Sequence, residues 1–188
     1  MLNTPDIIIY LLAASTSIFA VSIIAHVQKC LELKDKIKIF TFFTGIPFLL
    51  FISGTLISGF IQSSFEGMDS WMWVILLIIL GVRFIMKAFK RNIEERFFDY
   101  TRWNVLLGLS IGLGMDFLIL GMGFKFTTYD TQNVLILLIV CAFFAVLTGL
   151  VFGKKTGKFE WGNRMLYLGG LLFIGMAVKE LAYLLGVI

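Results

Sequence analysis

Six long apolar runs, with basic residues concentrated in alternate loops between them, constrain this chain more than any other feature. The runs are Ile7–Val27, Ile39–Ile61, Trp71–Phe89, Trp103–Phe124, Val134–Phe152 and Met165–Ile188. A helix of about 20 residues crosses roughly 30 Å of hydrocarbon while satisfying its own backbone hydrogen bonds. The predicted fold class is therefore an all-α membrane protein with six transmembrane helices. The first loop carries Lys29, Lys34, Lys36 and Lys38, the third Lys90, Arg91, Arg96 and Arg102, and the fifth Lys154, Lys155, Lys158 and Arg164. The second, around Gln62–Ser70, has no Lys or Arg, and the fourth has only Lys125. Because basic loops stay in the cytoplasm, loops one, three and five are expected inside and both termini outside.

Composition excludes most alternatives. An apolar fraction of 59% leaves too little polar surface for a soluble fold of 188 residues. The net charge of +4 does not point to nucleic acid, because the basic residues sit at helix ends, where they meet lipid phosphates. The segment Met1–Asp6 has no basic n-region and the apolar run after it is too long for a signal-peptide core, so the first span is expected to be retained. Cys30 is expected on the cytoplasmic side and Cys141 within span five, with no structural disulfide and no Cys-x-x-Cys redox motif. His26 is the single histidine, which rules out a bis-His haem site, and no cofactor is expected. No Gly-x-x-x-x-Gly-Lys nucleotide loop is present, so ATP-driven transport is not expected.

Three spans fill each half of the chain: residues 1–89 form a first triplet, 90–102 a charged cytoplasmic linker and 103–188 a second triplet. Because three is odd, homologous halves would enter the membrane from opposite sides, giving two inverted three-helix repeats, a construction used by many secondary transporters. Leu77-Ile78-Ile79-Leu80-Gly81 is similar to Leu171-Leu172-Phe173-Ile174-Gly175, a weak internal match.

Asp116 is the leading candidate for a functional role, since a carboxylate deep in a span is costly unless paired, protonated or hydrated. Gly108 and Gly112 precede it at four-residue spacing, and Ala13, Ser17 and Ala20 form a comparable small stripe in span one. Both stripes read as packing faces at the repeat interface, or as two faces that meet on the repeat axis and form the site. Lys179 counts to about the depth of Asp116, so a buried Asp116–Lys179 pair stands beside a role for Asp116 in cation or proton handling. Glu180 faces either a cavity or the outer interface. Arg83 is expected to reach headgroups, and His26 to lie at the interface. The run Arg91, Glu94, Glu95, Arg96 and Asp99 reads as a solvated turn. Pro47, with Gly45 nearby, is expected to kink the second helix or to break it and free the Phe43 carbonyl.

These residues bear a family resemblance. The segment Gly114-Met115-Asp116-Phe117-Leu118-Ile119-Leu120-Gly121-Met122-Gly123 resembles the second acidic motif of the MntP family of bacterial manganese efflux pumps, part of the wider lysine-exporter superfamily. Cys141-Ala142, Thr148-Gly149, Leu168-Gly169-Gly170-Leu171 and Ile174-Gly175 are also similar to it, as are Phe19-Ala20-Val21-Ser22-Ile23 and Leu80-Gly81-Val82-Arg83. The resemblance covers essentially the whole chain. It implies a six-span carrier in the bacterial cytoplasmic membrane that exports a small cation, Mn²⁺ first among them, by alternating access coupled to a proton or ion gradient. Asp116 would bind the metal or a coupled proton, with Ser15, Thr16 and Ser17 completing the site and Lys179 holding the empty state. The chain departs from the family pattern at Ser17, which stands where the first-repeat motif has Asp, and at Pro47, the nearest position to an acidic residue expected in span two. A moved substrate specificity, or a non-transporting accessory protein that keeps the carrier fold, therefore stays open, as does homo-oligomerisation.

Overall fold

The computed structural model describes residues 4–28, 33–62, 68–93, 102–127, 131–156 and 160–186. Among them there are six helices and no strand: α1 (Thr4–Gln28), α2 (Leu33–Gln62), α3 (Asp69–Ile93), α4 (Trp103–Lys125), α5 (Thr131–Thr156) and α6 (Glu160–Leu184). All six are long and apolar enough to cross a membrane. The shortest, α4 with 23 residues, spans about 34 Å at 1.5 Å per residue, more than the hydrocarbon requires. Each apolar run of the sequence thus became one helix. The last helix starts at Glu160, a turn or more before the expected Met165, and Gly162 already packs on Ala20 and Ile24 of α1. The helix α2 continues through Pro47 as one element, so of the two expected outcomes, a kink or a break, the break is not present. Cys30 and the charged run from Glu94 to Asp99 lie outside the described residues.

The helices associate across the two halves of the chain. The substantial pairings are α2 with α4, α1 with α5, α3 with α6, α1 with α6, α2 with α5 and α3 with α4, with a narrower contact of α1 on α4. Without a hydrophobic drive between helices in lipid, such contacts depend on close backbone approach at small residues. Gly121 lies against the Phe51 carbonyl, where an added Cβ would come within 2.3 Å of the oxygen, and Gly54 lies against that of Leu118. Gly114 lies against Pro47, seven residues before Gly54, so the contacts advance from 47 with 114 to 54 with 118 and 122, and α2 and α4 run parallel. Gly149 meets Phe19 and Gly153 meets Ile23, so α1 and α5 are parallel too. Gly81 faces Gly170 and Ile174, while Gly170 faces Ile85, an antiparallel crossing of α3 on α6.

The expected Gly108–Gly112 packing step is corrected by this geometry. A Cβ added at either residue meets nothing within 4 Å among the described residues, and α4 instead uses Gly114, Gly121 and Gly123 to approach its neighbours. The reason is rotational: those three lie on the faces toward α2 and α3, whereas Gly108 is exposed on the helix surface. The α1 stripe does pack, but on α6 rather than α4. Gly169 lies beside Ala13 and Thr16, and Gly162 beside Ala20 and Ile24. Ala13 and Ala20 are both buried in this contact. Fully buried Tyr10, Phe43, Phe51, Phe84, Phe117 and Phe173 fill the space between the helices, while Leu49, Phe60, Val151 and Leu171 face outward where lipid would lie.

Candidate functional site

The Asp116 side chain is fully enclosed at the seam between α3 and α4. Residues 83 and 87 are one turn apart, so the i, i+4 geometry of α3 puts both basic groups on the same face. Arg83 Nε lies 2.8 Å from Oδ1, and Lys87 Nζ donates to Oδ2. Lys87 Nζ also reaches the Gly112 carbonyl at 3.3 Å and sits 5.7 Å from the centre of the Phe84 ring. Two cations thus share one carboxylate. Gly112 is therefore part of the site after all, through its carbonyl rather than through helix packing.

Two expected partnerships are replaced. Arg83 does not reach toward headgroups; it turns inward because Asp116 offers a charge in a setting where none is otherwise available. Lys179 does not pair with Asp116. It lies on α6, which has no substantial contact with α4, and its Nζ binds Asp6 Oδ1 at 2.6 Å. Equal depth along separate helices was not enough to bring the two together. Beside Lys179, Glu180 accepts a hydrogen bond of 3.1 Å from the Tyr10 hydroxyl. The Tyr10 ring packs edge-on against Trp73 and Phe124, with centroids 5.0 and 6.2 Å away. Asp6, Tyr10, Lys179 and Glu180 together tie the start of α1 to the end of α6.

The hydroxyls of span one stand apart from Asp116, whose hydrogen-bond and ion-pair partners are Arg83, through Nε, and Lys87, through Nζ. Ser17 is buried and donates to the Ala14 carbonyl at 2.9 Å, and Thr16 donates to that of Ala13 at 2.6 Å. Ser15 Oγ is buried with no hydrogen-bond partner among the described residues. Ser15 and Thr16 line a cavity of about 410 Å³ between α1, α5 and α6 whose wall also includes Cys141, Thr148 and Met165. This cavity carries no charged side chain. Pro47 sits against Gly114, its Cα 3.4 Å from the place a Cβ would take there, two residues from Asp116 along α4. Among the described residues, no group of three or more His, Cys, Asp or Glu side chains is placed to hold a metal ion.

Sequence reasoning identified Asp116 but not its two partners. The available signal was the pair Arg83 and Lys87, one turn apart inside an apolar span that also has a buried acid to answer. No solved structure matches the chain. It is 28% identical over 176 residues to "Putative manganese efflux pump MntP" of Methanosarcina barkeri, covering 91% of each chain. It is 29% identical over 186 residues to "Putative manganese efflux pump MntP 2" of Clostridium botulinum strain Hall, covering 93% of this chain and 92% of the relative. Against "Putative manganese efflux pump MntP" of Aliarcobacter butzleri the identity is 27% over 183 residues, covering 95% and 99%. With its residues 30–181 matched by the family's own sequence description, the six-helix chain built around Asp116 belongs to the Mntp family, described as "Putative manganese efflux pump".

Proposed function

We propose that the chain is a secondary carrier that exports a small cation, Mn²⁺ first among them, with Asp116 as the carboxylate that the ion or a coupled proton occupies. The observation that carries this reading is the full burial of Asp116 in a family named for manganese efflux. Ionisable side chains within membrane spans are costly and mark ion pathways. Mn²⁺ is a hard ion that prefers carboxylate, carbonyl and water oxygens. With Arg83 and Lys87 on its two oxygens, Asp116 is closed to a divalent cation, which would meet two like charges at contact distance. In this arrangement the two basic groups hold the carboxylate away from the ion. Entry of the ion requires at least one of the two basic groups to withdraw, and separation of α3 from α4 is the motion that does it.

Alternating access would use two inverted repeats, residues 1–89 and 103–188, joined by 90–102. The pairings support this: exchanging α1 with α4, α2 with α5 and α3 with α6 turns the set of helix contacts into itself. Loops one, three and five, with their basic ends, would then lie in the cytoplasm and both termini outside. Ser15, Thr16 and Ser17 supply oxygens from the first half, and a proton or ion gradient drives the cycle.

A second reading, a non-transporting accessory protein, draws on Ser17 in place of an acid and on the double pairing of Asp116. Growth of a manganese-sensitive host lacking its own exporter separates the two. The chain is expected to protect, and Asp116→Asn to abolish protection while still inserting in the membrane. Protection by Ser17→Asp but not by the unmodified chain would point to a carrier whose substrate has moved away from Mn²⁺. Correct insertion with no protection from either would favour the accessory reading.

A further inference from the structure

A second cavity lies where α1 and α5 end and α2 begins. It encloses about 450 Å³ and is lined by His26, Lys36 and Lys154 together with Ile37, Phe40, Leu147, Leu150 and Val151. Three helices each contribute one basic group to its rim. Neither Lys36 nor Lys154 has a carboxylate partner among the described residues, and His26 Nδ1 is buried with no hydrogen-bond partner. The remainder of the wall is aliphatic or aromatic, and Ile37 and Val151 leave it open to the side, at 64% and 67% exposure. Lys38, in contrast, is already 3.9 Å from Asp35.

We infer that this cavity binds an anionic phospholipid of the leaflet it faces, with the phosphate between Lys36, Lys154 and the His26 imidazole and an acyl chain along Phe40, Leu147 and Val151. The chemistry matches on both counts: unanswered positive charge at the rim for a phosphate, and an apolar, laterally open wall for hydrocarbon. Basic pockets between transmembrane helices on the cytoplasmic side recognise such headgroups, and a carboxylate-free rim leaves nothing to compete. A zwitterionic lipid would bring its own cation into the same rim and be held less well. The inference does not depend on Asp116 or on transport.

Native mass spectrometry tests it on the full chain taken from nanodiscs of phosphatidylcholine mixed with phosphatidylglycerol. The unmodified chain is expected to keep phosphatidylglycerol under activation that strips phosphatidylcholine. Each lysine beside an anionic headgroup contributes about fivefold, so Lys36→Gln with Lys154→Gln should weaken retention roughly 25-fold. Lys38→Gln, which removes the same type of charge two residues along α2 and outside the cavity lining, should leave retention unchanged. Lys154→Arg keeps the charge and should retain the lipid, which guards against misfolding of the double variant. Unchanged retention in the double variant, an equal loss in Lys38→Gln, or equal thermal stabilisation of the protein by inorganic phosphate alone would overturn the assignment.

Discussion

Two acid–base clusters join α1 or α4 to α6 or α3, and they differ in depth. At the α1–α6 end, Asp6 meets Lys179, whose side chain is 54% exposed. At the α3–α4 seam, Asp116 has no exposure and is held by Arg83 and Lys87, at 26% and 29%. The first is a clip at the end of two helices, where Asp6 is buried but headgroups and water can take over the charge of Lys179. In the second, removing the acid leaves two cations and removing both basic partners strands the carboxylate, in each case in a low-dielectric surrounding. Exposed pairs contribute about 0–1 kcal/mol, whereas breaking a buried pair by removing one side costs about 3–5 kcal/mol. A fold in need of stability alone gains little from the deep arrangement. Its position therefore supports a working role for Asp116, and the terminal pair supports none.

The largest effect that sharpens this contrast is expected from Arg83→Gln combined with Lys87→Gln. Stranding the carboxylate should lower stability by about 3–5 kcal/mol, read as a lower thermal midpoint in detergent. Adding Asp116→Asn to that double variant should restore most of the loss, because no buried charge is then left uncompensated. A triple variant as unstable as the double would mean that the two basic side chains act through packing, and the contrast would break. The smallest effect is expected from Lys179→Gln. Its cost should stay within about 1 kcal/mol and shrink further at high salt, with manganese protection retained. Loss of protection in Lys179→Gln would place the terminal cluster within the transport path and erase the distinction.

Much of the fold was legible because hydropathy and helix length are local properties. Each of the six runs needed only its own residues to satisfy its backbone in lipid, and each became a helix. Asp116 was legible for a related reason, since a lone acid amid Met115, Phe117 and Leu118 violates the composition around it. What failed was everything that depends on which helices touch. Lys179 and Asp116 lie at similar counted depths, but α6 packs on α1 and α3, so Lys179 found Asp6 instead. The Gly108–Gly112 step follows a spacing rule that says nothing about rotation, and the neighbours approach at Gly114, Gly121 and Gly123. Arg83 looked free to reach headgroups because snorkelling is decided by distance to the interface alone. An acid on a neighbouring helix outcompetes the interface, and the sequence does not say which helix is the neighbour.

The most direct measurement is Mn²⁺ flux into or out of liposomes holding the purified chain, compared with Asp116→Asn in the same preparation. The account predicts flux driven by an imposed gradient in the unmodified chain and none above empty liposomes in the variant. Equal Mn²⁺ flux through both proteins would contradict it, because the ion would then cross without the one carboxylate buried at the α3–α4 seam.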